Sequence, residues 1–197
     1  PIDLHLSGLR QLGVDVREEG GLIRCDGRHM RAGTVHFDYP SVGATENVMM
    51  AAALLKGRTV LSNVAREPEI TDLQNFLNAM GARISGAGTH TVTVEGVDRL
   101  RGVSYCPMPD RIVAGTLLAA AARLRAPQRL TAFQQLQTQP HPGFPTDMQA
   151  QMLALAAMAK GTSVVVENVF ENRFAHAGDL NRMGANVLVN GRTAVVQ

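Results

Sequence analysis

The stretch with the residue types best suited to chemistry is Gln139-Pro-His-Pro-Gly-Phe-Pro-Thr-Asp147. Three prolines and a glycine restrict its backbone, and the stretch leads into an apolar helix with Asp147 in the first turn. Two interpretations follow from these residues alone. Asp147 either only complements the helix dipole, which is worth about 0.3 to 1 kcal/mol, or it is a general base on a rigid support, suited to removing the proton of a hydroxyl group.

Two further groups of residues are suited to binding anions. The run Ser41-Val-Gly-Ala-Thr45 opens an apolar helix. It is either a simple helix cap or a site where free amides bind phosphate, with Gly43 allowing close approach. Arg173, in Phe-Glu-Asn-Arg-Phe, is either an ordinary surface arginine or a bidentate ligand for a carboxylate or phosphate.

The histidines and cysteines give no sign of a metal centre. The six histidines show no ligand spacing, so we predict neither a metal nor a cofactor. Cys25, in an apparent strand, and Cys106, beside a proline, are predicted to be structural thiols. Two cysteines are too few for a disulfide framework, which favours a reducing, cytoplasmic location.

Composition excludes several classes of function. The net charge is +2, with 19 basic and 17 acidic residues spread along the chain, which is too balanced for a duplex-binding surface. Two Tyr, six Phe and no Trp supply few platforms for base stacking, so nucleic acid is not an expected partner. No apolar run approaches the roughly 18 to 20 residues of a membrane span, and no membrane association is predicted. Because the chain begins at Pro1 and not at Met, we expect the true N-terminus to lie upstream.

A long repeat positions these residues. Residues 40–64 contain a helix start, an apolar helix, a Lys-Gly pair and a β-branched strand, and residues 146–169 show the same series. Asn168-Val169 stands where Asn63-Val64 stood, and the string Met-Gly-Ala follows in both, so the copies are about 103 to 105 positions apart. A third opening half at 110–124 lacks its continuation. We infer that a half-repeat of about 40 residues is absent near 126/127.

Local signals predict the remaining elements. We expect an amphipathic helix over 3–13, a hairpin over 14–24 and a strand over 34–39. Capping boxes at Thr71-Asp-Leu-Gln74 and Thr146-Asp-Met-Gln149 predict two further helix starts.

The periodicity also predicts the layers of the fold. The segments 48–55, 117–122 and 152–159 are apolar all round, so these helices are expected to be buried on every side. The strands alternate and are expected to have one face in water. The sequence thus predicts an inside-out α/β architecture with helices in the core and sheets outside. It also predicts two lobes, 1–109 and 110–197.

Several strings, in order, resemble the enolpyruvyl transferase family, and within it the UDP-N-acetylglucosamine 1-carboxyvinyltransferases of peptidoglycan synthesis. The shikimate-pathway branch of the family shares the fold but not these strings. The matching strings are Pro-Ser-Val-Gly-Ala-Thr-Glu-Asn (40–47), Arg-Glu-Pro-Glu-Ile (66–70), Met-Gly-Ala-Arg-Ile-Ser-Gly-Ala-Gly-Thr (80–89), Pro-Asp-Arg-Ile (109–112), Pro-Gly-Phe-Pro-Thr-Asp-Met-Gln-Ala-Gln (142–151) and Phe-Glu-Asn-Arg-Phe (170–174).

The resemblance implies a fold of two lobes made of repeated βαβαββ units. It implies that phosphoenolpyruvate reacts with the 3′-hydroxyl of UDP-N-acetylglucosamine by addition and elimination, with release of phosphate. By the same resemblance, Asp147 matches the aspartate taken to deprotonate that hydroxyl, and Arg173 matches an active-site arginine. Matches to substrate-binding positions are Pro1, Ile2, Asp3, Leu4, Ser41, Val42, Gly43 and Val169, of which Ser41, Val42 and Gly43 correspond to diphosphate contacts.

The chain also departs from the family pattern. The family's catalytic-loop cysteine lies upstream of Pro1 and matches neither Cys25 nor Cys106, and an arginine that closes on phosphoenolpyruvate lies beyond Gln197. Val113 stands where many members have Glu. We therefore expect about half of such an enzyme, inactive alone. Two alternatives stay open: a truncated homologue that only binds UDP-sugar or serves as an interaction module, and a transferase acting on another nucleotide sugar.

Overall fold

The computed structural model describes residues 2–125 and 130–197. Contacts within the chain divide it into two compact units, Pro1–Met108 and Pro109–Gln197. The predicted lobes have nearly the same bounds, and the assignment of the units as lobes of a larger enzyme stays a prediction. Within the described ranges, no helix combines the length and the apolar character needed to cross a membrane.

The first unit contains one complete βαβαββ series behind a helix and a hairpin. Its elements are α1 (Asp3–Gln11), β1 (Asp15–Glu19), β2 (Leu22–Asp26), β3 (Thr34–His36), α2 (Val42–Ala52), β4 (Arg58–Ser62), α3 (Pro68–Ala79), β5 (Arg83–Ser85) and β6 (Thr91–Glu95). The hairpin β1–β2 is a sheet of its own, and the other four strands pair in the order β3-β4-β6-β5. The pair β3–β4 is parallel and the remaining pairs are antiparallel.

The second unit contains the same series behind a single helix. Its elements are α4 (Arg111–Arg125), β7 (Leu136–Gln137), a 3-10 turn (Thr146–Met148), α5 (Gln149–Ala156), β8 (Ser163–Val166), α6 (Ala177–Arg182), β9 (Val187–Asn190) and β10 (Thr193–Val196). The strands pair in the order β7-β8-β10-β9, which is the topology of the first unit. The predicted repeat is therefore confirmed at the level of topology. The predicted junction at 126/127 lies outside the described residues.

Paired contacts in the two units show how closely the repeat is followed. In the last turn of α3, the Asn78 side chain bonds both the N–H and the C=O of Ile84, each at 2.8 Å. In the last turn of α6, the Asn181 side chain makes the same two bonds with Val187, again at 2.8 Å. Because one amide satisfies both groups of the returning backbone, each helix is joined to the strand that follows it.

Each four-stranded sheet buries one face, as the alternation predicts, whereas the hairpin β1–β2 has no buried residue. In β6, Val92 and Val94 are fully buried, and in β10 Ala194 and Val196 are fully buried. On the helix side of the first core, Val48 and Met49 of α2 are fully buried. The buried layer of each unit is therefore the contact between helices and the inner face of a sheet.

The prediction that three helices are buried on every side is wrong for the described structure. Met50 of α2 is 45% exposed and Met158, just after α5, is 46% exposed. On α4, Leu117 and Leu118 are 65% and 71% exposed. The physical reason is that α4 packs in its own unit on only one side, against α5 and the 3-10 turn.

Both predicted capping boxes are also wrong. Helix α3 begins at Pro68, three residues before Thr71, because proline suits the first helical position. Thr146 does not cap α5 and lies in the 3-10 turn, where its hydroxyl bonds side chains from outside the helix. The Ser41 cap is confirmed, since Ser41 Oγ accepts the amide of Ala44 at 3.4 Å.

Gly57 and Gly161 occupy equivalent corners between a helix and a strand, with φ of 109° and 113°. An added Cβ would lie 3.1 Å from Ala32 Cβ and 3.2 Å from Ala132 Cβ, respectively. We predict that Gly57→Ala and Gly161→Ala each lower the free energy of unfolding by about 1–3 kcal/mol, because a non-glycine residue is strained at this φ. Equilibrium urea unfolding measures the effect.

Gly178→Ala is the matched control for these two substitutions. Gly178 lies in α6 and an added Cβ meets nothing within 4 Å. Alanine there raises helix propensity by about 0.5 to 1 kcal/mol, so stability should stay the same or increase. Unfolding of Gly57→Ala and Gly161→Ala at the unsubstituted midpoint would contradict the assignment of strain to these corners.

Candidate functional site

Asp147 and Arg173, predicted separately from sequence, form an ion pair in the second unit. Arg173 Nη2 donates to Asp147 Oδ1 at 2.7 Å. The Asp147 side chain is 59% exposed and that of Arg173 34%, so the pair lies at the surface with most of the arginine covered. Asp147 is in the 3-10 turn before α5, and Arg173 follows Asn172, whose φ of 55° turns the chain.

Two more groups fix the guanidinium of Arg173. Its Nη1 donates to Thr146 Oγ1 at 3.0 Å, and its Cζ lies 5.0 Å from the centroid of the Phe170 ring. The guanidinium is planar and its donors point in fixed directions, so two bonds and a ring contact determine its orientation. Arg173 is therefore held in one orientation beside Asp147 rather than extended into solvent.

This arrangement leaves one carboxylate oxygen of Asp147 available. Oδ1 accepts from Arg173, whereas Oδ2 accepts no hydrogen bond from any residue that the structure describes. Because Oδ1 is held by Arg173, the direction in which Oδ2 points into solvent is also fixed. This is the geometry that a general base needs, because the base has to lie within hydrogen-bond reach of the proton that it removes.

A buried carboxylate that the sequence analysis missed lies beneath this pair. Glu167 is 1% exposed and directly follows β8. Its Oε2 accepts the Thr146 hydroxyl at 2.9 Å. Its Oε1 accepts the Thr138 hydroxyl at 2.8 Å and the amides of Val169 and Phe170 at 2.9 and 3.0 Å. Val169, predicted as a nucleotide-sugar contact, is thus half-buried on the same loop as Arg173.

Strand register places Glu167 directly after β8, as Asn63 directly follows β4 in the first unit. Phe37 N donates to Ser62 O in the first unit, and Thr138 N donates to Val166 O in the second. The residue after Ser62 is Asn63, and the residue after Val166 is Glu167. The comparison of Asn63-Val64 with Asn168-Val169 in the sequence repeat left Glu167 without a counterpart.

In the first unit, Ser41, Val42 and Gly43 form the beginning of α2. The Ser41 hydroxyl and carbonyl accept from Ala44 and Thr45, while the amides of Val42 and Gly43 precede the first intrahelical bond. The helix dipole and these amides favour an anion at this end.

His5, which the sequence analysis did not select, lies against this helix end. An added Cβ at Gly43 would be 3.0 Å from His5 Cε1 and 3.3 Å from Nε2. His5 Nδ1 faces Asn47 Nδ2 at 2.7 Å. This contact joins the start of α1 to the Asn47 side chain of α2.

The remaining binding residues predicted in the first unit lie at the start of α1. Ile2 and Asp3 are exposed, and Leu4 packs partly against the hydrophobic core. Pro1 lies outside the described residues. Helices α1 and α2 approach closely at Gly8, where an added Cβ would be 2.6 Å from Val48 Cγ2.

The cysteines do not have the predicted structural role. Cys25 and Cys106 are both free and exposed, because β2 has little of its surface buried and Cys106 lies in an open segment. In the part of the chain that the structure describes, no group of three or more His, Cys, Asp or Glu could hold a metal ion.

Comparisons with known proteins place these units in a wider context. The family model of EPSP synthase (3-phosphoshikimate 1-carboxyvinyltransferase) matches residues 1–127 and 123–197. The chain is 47% identical to a UDP-N-acetylglucosamine 1-carboxyvinyltransferase of Myxococcus xanthus and 46% identical to such an enzyme, number 2, of Caldanaerobacter subterraneus subsp. tengcongensis. Each alignment covers 100% of this chain and 56% of the relative.

The same comparisons support the predicted gap. The chain spans about half the length of these curated relatives, and the alignments extend over 234 positions although the chain has 197 residues. The two stretches of the family match meet at 123–127, where the repeat predicts a missing half-unit.

A solved structure supports the fold. The enolpyruvyl transferase NikO from Streptomyces tendae superimposes with a TM-score of 0.84 at 20% identity, over 100% of this chain and 58% of that one. At this identity the likeness shows the fold alone, and it confirms the predicted enolpyruvyl transferase fold.

His176, on the chain segment just after Arg173, is expected to make the stability of the protein depend on pH. Burial lowers the pKa of His176, the Arg173 charge lowers it further, and Asp179 opposes the shift. The unfolded chain binds the proton below about pH 6.5, but the folded His176 does so only at lower pH. The stability from neutral His176 is therefore complete above that pH and declines as the pH falls toward the folded-state pKa.

We predict that His176→Gln reduces the loss of stability between about pH 7.5 and pH 5.5. Urea midpoints at the two pH values provide the measurement. His90→Gln, at an exposed position of the first unit, should leave the loss unchanged. An identical pH dependence with and without His176 would show that this residue does not contribute to it.

Proposed function

Because the chain belongs to the EPSP synthase family of 1-carboxyvinyltransferases, we propose that the natural polypeptide carrying it transfers the enolpyruvyl group of phosphoenolpyruvate to UDP-N-acetylglucosamine. The acceptor is the sugar 3′-hydroxyl, and the products are phosphate and the enolpyruvyl ether. The names of the curated relatives support this substrate. The Asp147–Arg173 pair is the observation that carries the proposal.

In this reaction Asp147 accepts the proton of the sugar hydroxyl on Oδ2. The hydroxyl oxygen then adds to the enol carbon that carries the phosphate, while the methylene carbon takes up a proton from a general acid and becomes a methyl group. In the elimination the C–O bond to phosphate breaks, a proton leaves the methyl group and the double bond is restored. Arg173 anchors Oδ1 at 2.7 Å, which aims Oδ2 at the incoming hydroxyl, and its charge favours an anionic substrate nearby. This second unit therefore supplies the base and its orientation.

The first unit supplies anion binding at the start of α2. Ser41, Val42 and Gly43 bind the diphosphate of the nucleotide sugar through amides that have no intrahelical partner. Ile2, Asp3 and Leu4, together with Pro1 before them, contribute the contacts at the start of α1. In the second unit Val169 contributes a further contact to the nucleotide sugar.

The product of this reaction is a precursor of peptidoglycan. We place the protein in the cytoplasm, because its two cysteines are free, as is usual in a reducing compartment. The same assignment connects it to cell-wall biogenesis and, through the wall, to cell shape, the cell cycle and cell division.

Substitution of Asp147 tests the role of the base. We predict that Asp147→Asn, in the natural polypeptide, lowers the rate of phosphate release by about 10²- to 10⁴-fold, the usual contribution of a general base. Binding of UDP-N-acetylglucosamine should change less than about threefold, because hydroxyl deprotonation belongs to the transition state and not to ground-state binding.

Asp179→Asn is the matched control for the base. Asp179 also pairs with an arginine in the second unit, Arg182, but on the exposed surface of α6. This variant should release phosphate at the unsubstituted rate. Unchanged turnover in Asp147→Asn would remove Asp147 as the base.

A second candidate function is binding of UDP-sugar without transfer of the enolpyruvyl group. The amides at the start of α2, which favour an anion, are the observation that supports it. Calorimetry with UDP-N-acetylglucosamine distinguishes the two functions. Saturable binding by the natural polypeptide, without phosphate release when phosphoenolpyruvate is added, would favour a binding or interaction module.

A further inference from the structure

Both carboxylate oxygens of Glu167 accept hydrogen bonds from neighbouring donors. Two hydroxyls and two backbone amides point at its two oxygens, and the side chain is 1% exposed. A buried carboxylate is costly unless it is bonded in this way. A carboxylate can accept from all four donors because both of its oxygens are acceptors. The amide of a glutamine could not, because an NH₂ group, which only donates, replaces one of the two oxygens.

The direction of the bonds at Thr146 is determined by its partners. Arg173 only donates, so Thr146 Oγ1 accepts from Nη1 at 3.0 Å. The single hydroxyl hydrogen of Thr146 is therefore free to point at Glu167 Oε2, 2.9 Å away. Glu167 thus keeps a lone pair of Thr146 directed at the guanidinium.

The equivalent position in the first unit separates this role from strand closure. Asn63 follows β4 as Glu167 follows β8, and its side-chain amide donates to Phe37 O at 2.7 Å. A neutral amide is sufficient to join the two strand ends there. Glu167, in the unit that carries Asp147 and Arg173, instead has a carboxylate that accepts four hydrogen bonds.

We propose that Glu167 is a positioning residue for Arg173, acting through Thr146 and through the amides of Val169 and Phe170. Apart from Asp147, two residues hold the guanidinium. Thr146 donates its hydroxyl to Glu167, and Phe170 donates its backbone amide to the same carboxylate. The proposal rests on the proposed function for its effect on catalysis. Its structural part stands independently.

Two variants remove the link in different ways. Glu167→Gln keeps shape and volume but places an amide NH₂ among donors, so the Thr146 hydroxyl loses its acceptor. Thr146→Val removes the hydroxyl and keeps the branched shape. We expect each to raise the KM for phosphoenolpyruvate about tenfold, because the Arg173 charge that attracts this anionic substrate is no longer held in place. We expect kcat to fall as well, because Arg173 also aims Oδ2 of Asp147.

Thr138→Val is the matched control. Thr138 donates to the same carboxylate at 2.8 Å and is fully buried, but it makes no contact with Arg173. The Thr138 hydroxyl also accepts a hydrogen bond from the backbone N–H of Asn168 at 2.9 Å. Thr138→Val leaves this N–H without its acceptor, so the stability of the protein should fall. The KM should stay unchanged, which a purely structural role of Glu167 does not predict.

The decisive experiment uses the natural polypeptide and two independent measurements. The first is kinetics of Glu167→Gln in the unsubstituted and the Arg173→Ala backgrounds. If Glu167 acts through Arg173, Glu167→Gln has no further effect on KM once Arg173 is absent. Equal effects in both backgrounds would overturn the proposal.

The second measurement is the NMR order parameter of the Arg173 Nε–H bond, which needs no turnover. We expect a value near the rigid limit of about 0.85 in the unsubstituted protein and in Thr138→Val, and below about 0.6 in Glu167→Gln and Thr146→Val. A flexible Arg173 in the unsubstituted protein, or a rigid one in both variants, would overturn the proposal. Loss of order without any phosphate release by the unsubstituted protein would retain the positioning role and reject the proposed function.

Discussion

Four donors converge on the buried carboxylate of Glu167, and the geometry of the second unit depends on this convergence. The bonds to Val169 and Phe170 define the start of the loop that carries Arg173. The bond to Thr146 determines where the preceding 3-10 turn lies, and with it Asp147. A charge this deeply buried is tolerated only when its acceptors are satisfied, so the loss of any one of the four donors lowers the stability of the unit. The exposed Asp147–Arg173 pair is held in place from beneath.

The two units show how one series of elements supports different chemistry. Strand order, the paired asparagine contacts after α3 and α6, and the glycine corners recur in both. The differences are in the loops that precede the central helix. In the first unit a serine cap leaves the amides of Val42 and Gly43 for an anion. In the second, a proline-rich loop leads to a 3-10 turn that presents a carboxylate. The repeated helices and sheets provide rigid supports, and the proposed function assigns binding and catalysis to the loops.

Much of this fold was predictable from sequence, because periodicity reports directly on local structure. The alternation of Val92 and Val94 predicted a strand with one buried face, and the repeat predicted a second copy of the topology. Asp147 and Arg173 were identified, but their contact was not, because the residues are far apart in sequence. Glu167 was missed because its role depends on donors from three separate segments. The burial of α4 was overestimated because an apolar pattern does not specify what packs against each side, and Leu117 and Leu118 are exposed.

Hydrogen exchange at the amides of Val169 and Phe170 is the most direct test of the Glu167 network. Both amides belong to a surface loop, yet both donate to a carboxylate that is 1% exposed. In the natural polypeptide they should exchange as slowly as the amides of β8, because exchange requires opening of the whole network. Exchange at the rate of an exposed loop, such as the open turn at Gly20 and Gly21, would contradict the network as the support of Asp147 and Arg173.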